Sequence, residues 1–345
     1  MKKYISIRNR SNSISFMMEK KAVVVFSVLF CLSLILFIIG LSIGSTIIPP
    51  FQVVEHLLGF GNGDHAFVID TLRLPRMLLS LLVGIALGVS GLILQGIIRN
   101  PLASPDIIGI TGGAAVAAVV FLTFFSEISI KWLPFPTIAG AAVVSLIIYL
   151  LAWKKGVTPI RLVLIGIGVD AGMGALVTMM IVLSPAYSTS TAYIWLTGSV
   201  YGANWENVFA MLPWVLIFVP LSLFFVRAVN VQELGDQIAT GLGSRVQFNR
   251  FVLLFISVAL AGSAVAFAGG IGFVGLIAPH IAKKLVGHSF GSLVPVSALI
   301  GGLIVILADV VARTAFLPLD LPAGVFVSGI GAPFFIYLLY RNRNM

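Results

Sequence analysis

The chain alternates between long apolar runs and short breaks that hold charges, prolines or glycines. Residues 22–54 carry no charge, and neither do residues 77–98 or 321–340. A helix needs about 20 apolar residues to cross the hydrocarbon core of a bilayer, so the pattern predicts an all-α integral membrane protein. The ten predicted transmembrane helices are residues 22–44, 77–98, 107–125, 136–153, 160–183, 208–226, 251–268, 272–287, 293–312 and 323–340.

Two of these spans depend on how one uncharged stretch is divided. Residues 251–282 contain no Asp, Glu, Lys or Arg, so they fit either one long helix or two short ones. Gly269, Gly270 and Gly272 cluster in the middle, which favours two helices.

Prolines indicate further broken helices. Pro101 and Pro105 precede Gly109, and Pro279 is expected to interrupt the helix before His280. Irregular backbone at membrane depth is tolerated where it is buried in protein or lines a cavity. We therefore expect these positions to be buried in protein or to line a cavity.

Small residues recur at spacings that let helix backbones approach one another. Gly84 with Gly88 and Gly168 with Gly172 are two examples. In lipid, close backbone packing replaces the hydrophobic effect as a source of helix association. We expect these glycines to serve packing first.

Composition agrees with a membrane protein and excludes a soluble domain. Hydrophobic residues make up 59% of the chain and charged residues only 10%, whereas soluble domains carry about 25% charged residues. The net charge is +9, and the basic residues lie almost wholly between the apolar runs, so we expect them to set the membrane topology. We therefore predict membrane lipid, not nucleic acid, as a partner. The single cysteine and four scattered histidines predict no disulfide and no metal site.

The basic residues also predict an orientation. With the N-terminus in the cytoplasm, all but four of the 21 basic residues fall on the cytoplasmic side. Residues 1–21 are then a cytoplasmic tail, residues 22–345 form the transmembrane domain, and both termini face the cytoplasm. The first apolar run is too long for a cleaved signal peptide. The external exceptions are Arg73, Arg76, Lys131 and Arg313.

Three of those exceptions are arginines at predicted helix ends. Arg73 and Arg76 stand three positions apart before the second span, and Arg313 follows the ninth. Their guanidinium groups offer rigid donor forks to carboxylates of a docking partner. The alternative is that they anchor helix ends in the lipid headgroup region.

The longest polar stretch between spans, residues 228–249, is predicted to be cytoplasmic. Within it, residues 234–243 fit a short helix that ends in glycine. Leu234, Ile238 and Leu242 would share one face, and such a face is normally covered. The cover is either a partner or the helix bundle itself.

Asp170 and His280 are polar residues inside predicted spans that could carry function. A charge at mid-bilayer costs roughly 2.5–3.5 kcal/mol on insertion scales, so Asp170 invites a functional interpretation. It could line a cavity, serve an ion path or bond a neighbouring helix, and we favour the structural hydrogen bond. For His280 we favour a bond to broken backbone over a ligand role.

The sequence shows no motif for ATP hydrolysis and no enzyme site. It contains no Gly-x-x-x-x-Gly-Lys-Ser/Thr phosphate loop, so it cannot bind and hydrolyse ATP by that route. No nucleophile and base pair or metal spacing is visible within the spans, which argues against an enzyme. An ion-gradient-driven secondary transporter stays open, because its site would also lie among broken helices.

Several motifs together make a specific pattern from about residue 22 to the C-terminus. They are Arg73-Leu-Pro-Arg76, Asn100-Pro101-Leu102-Ala103-x-Pro105 with Gly109, Trp195-Leu196-x-Gly198-Ser199, Leu234-Gly235 with Ala239 and Gly243, Gly269-x-Ile271-Gly272-Phe273-Val274-Gly275-Leu276 with Pro279-His280, Asp309-x-x-Ala312-Arg313, Leu321-Pro322-x-Gly324 and Gly331-Ala332-Pro333-Phe334. In these motifs the chain resembles the FecCD/BtuC-like permease family of binding-protein-dependent ABC importers for ferric siderophores, haem and vitamin B12.

The resemblance implies a fold, partners and a function. The fold would be the type II ABC importer permease fold, with ten helices, some of them short or broken. A second permease copy or a homologous permease would complete the pore, with two ATP-binding cassette ATPase subunits and an extracytoplasmic substrate-binding lipoprotein. The expected cargo is an iron(III)-siderophore crossing the bacterial cytoplasmic membrane, with haem or vitamin B12 as alternatives.

The resemblance also implies roles for residues. The binding protein would dock on Arg73, Arg76 and Arg313. The ATPase coupling loop would comprise Leu234, Gly235, Asp236, Gln237, Ala239 and Gly243, where Gln237 stands in place of the glutamate of a related importer pattern. The translocation path or gate would involve Asn100, Pro101, Pro105, Gly109, Asp170, Pro279 and His280.

Overall fold

The structure, a computed structural model, describes residues 4–8, 15–61, 63–125 and 127–341. It opens with an antiparallel hairpin of β1 (Tyr4–Arg8) and β2 (Ser15–Glu19), which the prediction of an all-α chain lacked. Residues 1–3 and 9–14 of the predicted tail lie outside the described residues.

The regular elements that follow the hairpin in the described residues are all helices. The α-helices are α1 (Lys20–Ser42), α2 (Pro50–Leu57), α3 (Leu74–Ile98), α4 (Ile110–Phe124), α5 (Pro134–Leu151), α6 (Pro159–Leu183), α7 (Ala186–Thr197), α8 (Trp205–Leu223), α9 (Val226–Gln232), α10 (Asp236–Gly241), α11 (Val246–Ala268), α12 (Val274–Val286), α13 (Phe290–Thr314) and α14 (Ala323–Arg341). A π-helical segment, Phe67–Arg73, leads into α3, and short 3-10 turns occupy Pro105–Ile108 and Ile130–Trp132.

Seven described helical segments are long and apolar enough to cross a membrane. They are Lys20–Ser42, Phe67–Ile98, Ile130–Leu151, Pro159–Leu183, Trp205–Leu223, Val246–Ala268 and Phe290–Thr314. The apolar helices Ile110–Phe124 and Ala323–Tyr337 are shorter. All ten predicted segments fall on helices, with ends that differ by a few residues, while α2, α7 and α9 were not predicted. The multi-pass helical prediction is thus confirmed, and the count of ten spans stays a prediction.

The glycine cluster separates two helices, as predicted. Gly269 and Phe273 both have positive φ angles, of 68° and 64°, and they end α11 and begin α12. Left-handed backbone at these positions stops the helical hydrogen-bond ladder. One continuous helix over residues 251–282 is therefore excluded.

The prediction that Pro279 interrupts its helix is wrong. Pro279 lies inside α12, which continues through it to Val286. Proline cannot donate to the carbonyl four residues earlier, here that of Gly275. The side-chain amide of Gln95 takes that place, since its Nε2 donates to the Gly275 oxygen at 3.4 Å. A neighbouring helix thus satisfies the freed carbonyl, and α12 does not have to break.

Helix α3 forms the centre of the bundle. It is buried over most of its length and packs against α8, α11, α12 and α13. Backbones meet directly at Gly84 and Gly301, because a Cβ atom on Gly84 would lie 2.2 Å from the Gly301 oxygen. By contrast, Gly168 and Gly172 on the largely exposed α6 have no atom within 4 Å of such a Cβ. The first predicted glycine pair therefore packs within the chain, and the second does not.

Replacing Gly84 with alanine tests this close approach. We expect Gly84→Ala to lower stability by about 1–3 kcal/mol, because the added methyl group forces two backbones apart. Thermal unfolding of the purified protein in detergent measures the loss. The control Gly168→Ala adds the same group where space is open, and it should unfold at or above the wild-type temperature. Equal losses in the two variants would contradict the interpretation.

Candidate functional site

The three predicted docking arginines come together at one end of the bundle, which we call the arginine end. Arg76 is held by two carboxylates. Its Nε donates to Asp309 Oδ1 at 2.9 Å, and its two terminal nitrogens donate to the oxygens of Asp320 at 2.6 and 2.8 Å. Asp309 is fully buried and also lies 3.7 Å from the Nε of Arg313. This ionic cluster ties α3 to α13 and to the segment that follows α13.

Arg73 and Arg313 extend the cluster to α1. Arg73 donates to the carbonyl oxygens of Leu41 (2.6 Å), Ser42 (3.0 Å) and Thr46 (2.6 Å). Arg313 donates to the carbonyl of Gly40. These oxygens belong to the last turn of α1 and the residues after it, where helical carbonyls lack intrahelical partners. Positive charge is favourable at that end of a helix.

The cluster lines a recess of about 720 Å³, whose wall also includes Thr46 and Tyr201. The three arginines are nevertheless buried, with relative exposures of 5% for Arg73 and 8% for Arg76 and Arg313. Their donors therefore bind the chain's own oxygens, and a docking partner would have to insert its carboxylates into the recess. The docking role stays a prediction.

Sequence reasoning missed Asp320, which binds Arg76 with both oxygens. A signal was present, because Asp320 is the only acidic residue after Asp309. The basic residues in this part of the chain are three arginines, and an isolated carboxylate among apolar residues needs such a positive partner.

The opposite end of α3 approaches α10. As predicted, a short helix forms here, and Leu234, Ile238 and Leu242 are 58%, 55% and 64% exposed. Ala239 is buried, and Gly243 has a φ angle of 79° just after the helix. The apolar face is therefore uncovered within the described chain, contrary to the alternative that it folds back on the bundle.

One carboxylate attaches α10 to the bundle. Both oxygens of Asp236 lie 3.0 Å from Nη2 of Arg250 on α11, and Oδ1 lies 3.2 Å from Nη2 of Arg99. Sequence reasoning placed Asp236 in the coupling loop and left these partners unidentified, since they are distant along the chain. Gly235, with a φ angle of 107°, turns the chain into α10.

The predicted break after α3 is present. Arg99 adopts left-handed backbone, and the Asn100 side chain accepts a bond from the amide of Leu102 at 2.9 Å. Pro105 opens the 3-10 turn, and Gly109, with a φ angle of 64°, leads into α4. The chain thus reverses between α3 and α4 by turn chemistry, without regular helix.

Asp170 faces an open cavity of about 280 Å³ on α6, together with Asp106, Thr111 and Gly112. Thr111 Oγ1 donates to Asp106 at 2.6 Å, whereas the Asp170 carboxylate accepts no hydrogen bond from any described residue. The favoured structural hydrogen bond is therefore absent from the described chain. A cavity-lining position, one of the alternatives, is what the structure shows.

His280 also differs from expectation. Its Nε2 is buried without a hydrogen-bond partner among the described residues, so this atom satisfies no broken backbone. The reason is that Gln95 already binds the carbonyl freed by Pro279. The ring instead packs edge-on against Phe334, with centroids 5.9 Å apart, and lines a small cavity with Pro101.

No metal site accompanies these groups in the part of the chain that the structure describes. No three His, Cys, Asp or Glu side chains there lie close enough to share a metal ion. The described side chains at the two ends offer ionic and apolar contact.

The fold defines the class of protein. The chain superposes on a solved inward-facing ABC transporter, assigned to the metal-chelate type, with a TM-score of 0.81 and 31% identity. The match covers 92% of this chain and 99% of that one. The class is therefore the membrane-embedded part of an ABC transporter.

The family follows from the sequence match. The FecCD transport family matches residues 32–341, and the chain belongs to this family. The siderophore transport permease YfhA of Bacillus subtilis (strain 168), named as probable, is 50% identical over 94% of this chain and 97% of its own. The achromobactin transport system permease CbrC of Dickeya dadantii (strain 3937) is 49% identical over 91% and 90%. The iron(3+)-hydroxamate import system permease FhuG of B. subtilis is 44% identical over 93% and 98%.

Removing the charge of Asp309 tests the ionic cluster. We expect Asp309→Asn to lower stability by about 3–5 kcal/mol, because buried Arg313 would lose its carboxylate partner and Arg76 would keep only Asp320. Thermal unfolding in detergent reports the loss. The matched control is Asp64→Asn, an exposed residue that should change little. A small effect at both positions would show that the cluster is not essential to stability.

Proposed function

We propose that this chain is the permease subunit of an ABC importer that carries an iron(III)-siderophore across a bacterial cytoplasmic membrane. The observation that carries the proposal is family membership along nearly the whole chain, together with relatives named for siderophore, achromobactin and iron-hydroxamate transport. These names favour an iron chelate over haem or vitamin B12. The chain itself is then a conduit, and hydrolysis of ATP belongs to another subunit.

The exposed face of α6 supports pairing with a second permease. Gly168, Gly172 and Gly174 have no neighbouring atoms within 4 Å of a built Cβ, and the cavity at Asp170 is open. A carboxylate within the membrane is tolerated where it lines a water-filled cavity, and a glycine-lined helix face is suited to close packing against protein. A pore between two permeases, identical or homologous, provides both. Ten spans, with both termini in the cytoplasm, complete this arrangement.

The α10 end supports docking of the ATPase. Three apolar side chains are exposed here: Ile238 lies on the six-residue helix α10, and Leu234 and Leu242 lie just before and just after it. The Asp236 carboxylate fastens α10 to the bundle. An exposed apolar patch on a firmly held element is typical of an interaction surface. With α10 on the cytoplasmic side, the ATPase would cover this patch.

The arginine end supports docking of a binding protein. Three arginines meet two carboxylates there, which leaves one positive charge in excess, and Arg73 is bound only by carbonyl and hydroxyl oxygens. A carboxylate entering the recess would compensate that charge. Extracytoplasmic binding lipoproteins would approach from this side.

The apolar face of α10 gives a direct assay of ATPase docking. We expect Leu234→Ser combined with Ile238→Ser to weaken binding of the ATPase roughly tenfold or more, because each side chain contributes about 1.5–3 kcal/mol when buried. Co-purification and titration in detergent measure the affinity. Leu319→Ser changes an equally exposed leucine at the arginine end and should bind normally. Unaltered binding by the double variant would exclude α10 as the docking site.

Reconstitution distinguishes an ATP-driven importer from a secondary transporter. We expect proteoliposomes to accumulate radiolabelled ferric hydroxamate or ferric citrate only with the ATPase, the binding protein and ATP present. The proposed importer takes its energy from the ATPase, so vesicles with the permease alone should stay empty under a proton gradient. Uptake by the permease alone, driven by that gradient, would instead favour the secondary transporter.

A further inference from the structure

The carboxylate of Asp236 is a junction between α10 and two distant parts of the chain. Arg250 approaches it with Nη2 at 3.0 Å from both oxygens, and Arg99 approaches Oδ1 at 3.2 Å. Arg250 is only 1% exposed, so water does not compete for its contacts. A guanidinium group binds several acceptors in a fixed plane, which makes it a stiff connector.

The other terminal nitrogen of Arg250 extends the connection. Nη1 donates to the carbonyl of Val157, in the segment between α5 and α6. Gln247, three residues before Arg250, binds both backbone groups of the same residue: its Oε1 accepts from the Val157 amide at 2.9 Å, and its Nε2 donates to the Val157 carbonyl at 3.3 Å. Val157 is itself fully buried. A movement of Arg250 would therefore move this segment with it.

The held segment leads straight into α6. Thr158 precedes the helix, and Arg161 in its first turn fixes the segment by bonds to Thr158 Oγ1 and to the carbonyls of Ala152 and Lys154, each at 3.1 Å. Further along, Asp170 and Gly174 of α6 line the open cavity. A rigid helix carries a displacement of its first turn along its axis to that cavity.

Arg99 connects Asp236 to a second part of the bundle. It ends α3 and begins the turn that leads through Pro105 to α4, and Asp106 in that turn lines the same cavity as Asp170. Both walls of the cavity are thus connected to Asp236, one through Arg99 and one through Arg250.

We propose that Asp236, Arg250 and Gln247 are positioning residues that transmit displacement of α10 to the first turn of α6 and so open or close the cavity at Asp170. The inference rests on the proposed function, since it requires that an ATPase moves α10. Apolar contact alone would allow α10 to slide, because Ala239 is the one residue of α10 that is buried in the described structure. The ion pair between Asp236 and Arg250 and the contacts of Gln247 with Val157 make the segment before α6 move together with α10.

The test uses the full permease reconstituted with its ATPase and binding protein. Arg250→Lys keeps the charge, but its single ammonium group cannot reproduce the fork that spans Asp236 and Val157. We expect the amount of ferric hydroxamate or ferric citrate imported per ATP hydrolysed to fall about fivefold or more, the scale of a lost coupling interaction. The control Arg245→Lys makes the same change at an exposed arginine nearby and should keep the wild-type ratio.

A structural readout separates coupling from simple loss of stability. Gly174→Cys introduces a thiol into the cavity where no atom lies within 4 Å of a Cβ, in a Cys31→Ser background that has no other cysteine. In otherwise unaltered protein, we expect the maleimide labelling rate to change when the assembled ATPase binds a non-hydrolysable ATP analogue. Arg250→Lys should abolish that change while the ATPase stays bound.

Each outcome decides the question. If Arg250→Lys transports per ATP like Arg245→Lys and keeps the labelling response, the proposal is wrong. If Arg250→Lys does not assemble with the ATPase, the same measurements are made on Gln247→Leu, which removes only the side-chain amide contacts to Val157. A normal transport ratio and labelling response in that variant also overturn the proposal. Failure of the proposed function is distinguishable, because unaltered protein would then show no ATP-dependent uptake or labelling change.

Discussion

The close approach of α3 and α13 is the interaction on which the rest of the structure depends. Lipid tails are as apolar as the side chains, so transfer of a side chain from lipid to a helix interface gains little free energy. Helices therefore associate through close backbone packing and dispersion contacts. Gly84 and Gly301 allow that proximity, and a methyl group at either position would meet the opposite carbonyl. With this contact in place, α3 becomes a fixed axis for the helices around it.

Both candidate interaction sites lie at the ends of that axis. Arg76 stands near the start of α3 and is closed within an ionic cluster, whereas Arg99 ends the helix and holds α10 through Asp236. The two ends differ in character. At the first, two of the chain's own carboxylates face three arginines, whereas an apolar surface remains uncovered at the second. A permease that receives cargo at one end and is driven from the other needs this kind of asymmetry.

Errors of sequence reasoning occurred where a polar group's partner is distant along the chain. Pro279 looked like a helix break because Gln95, which binds the freed carbonyl, lies on another helix. The internal partners of the arginines, Asp320 and the end of α1, were not identified because only folding brings them together. Asp170 was expected to be bonded, and it faces a cavity instead. Hydrogen bonds between helices have no local periodicity, so the sequence does not display them.

By itself the sequence determined the membrane class, the location of the spanning helices, the division of α11 from α12 and the existence of a short amphipathic helix near residue 238. These follow from local rules, since apolar length, glycine conformation and helical period are properties of neighbouring residues. Only the tertiary structure decided which charges are satisfied internally, which face of α6 is open and how α10 is fastened. Those outcomes depend on side chains tens or hundreds of residues apart, which only packing brings into contact.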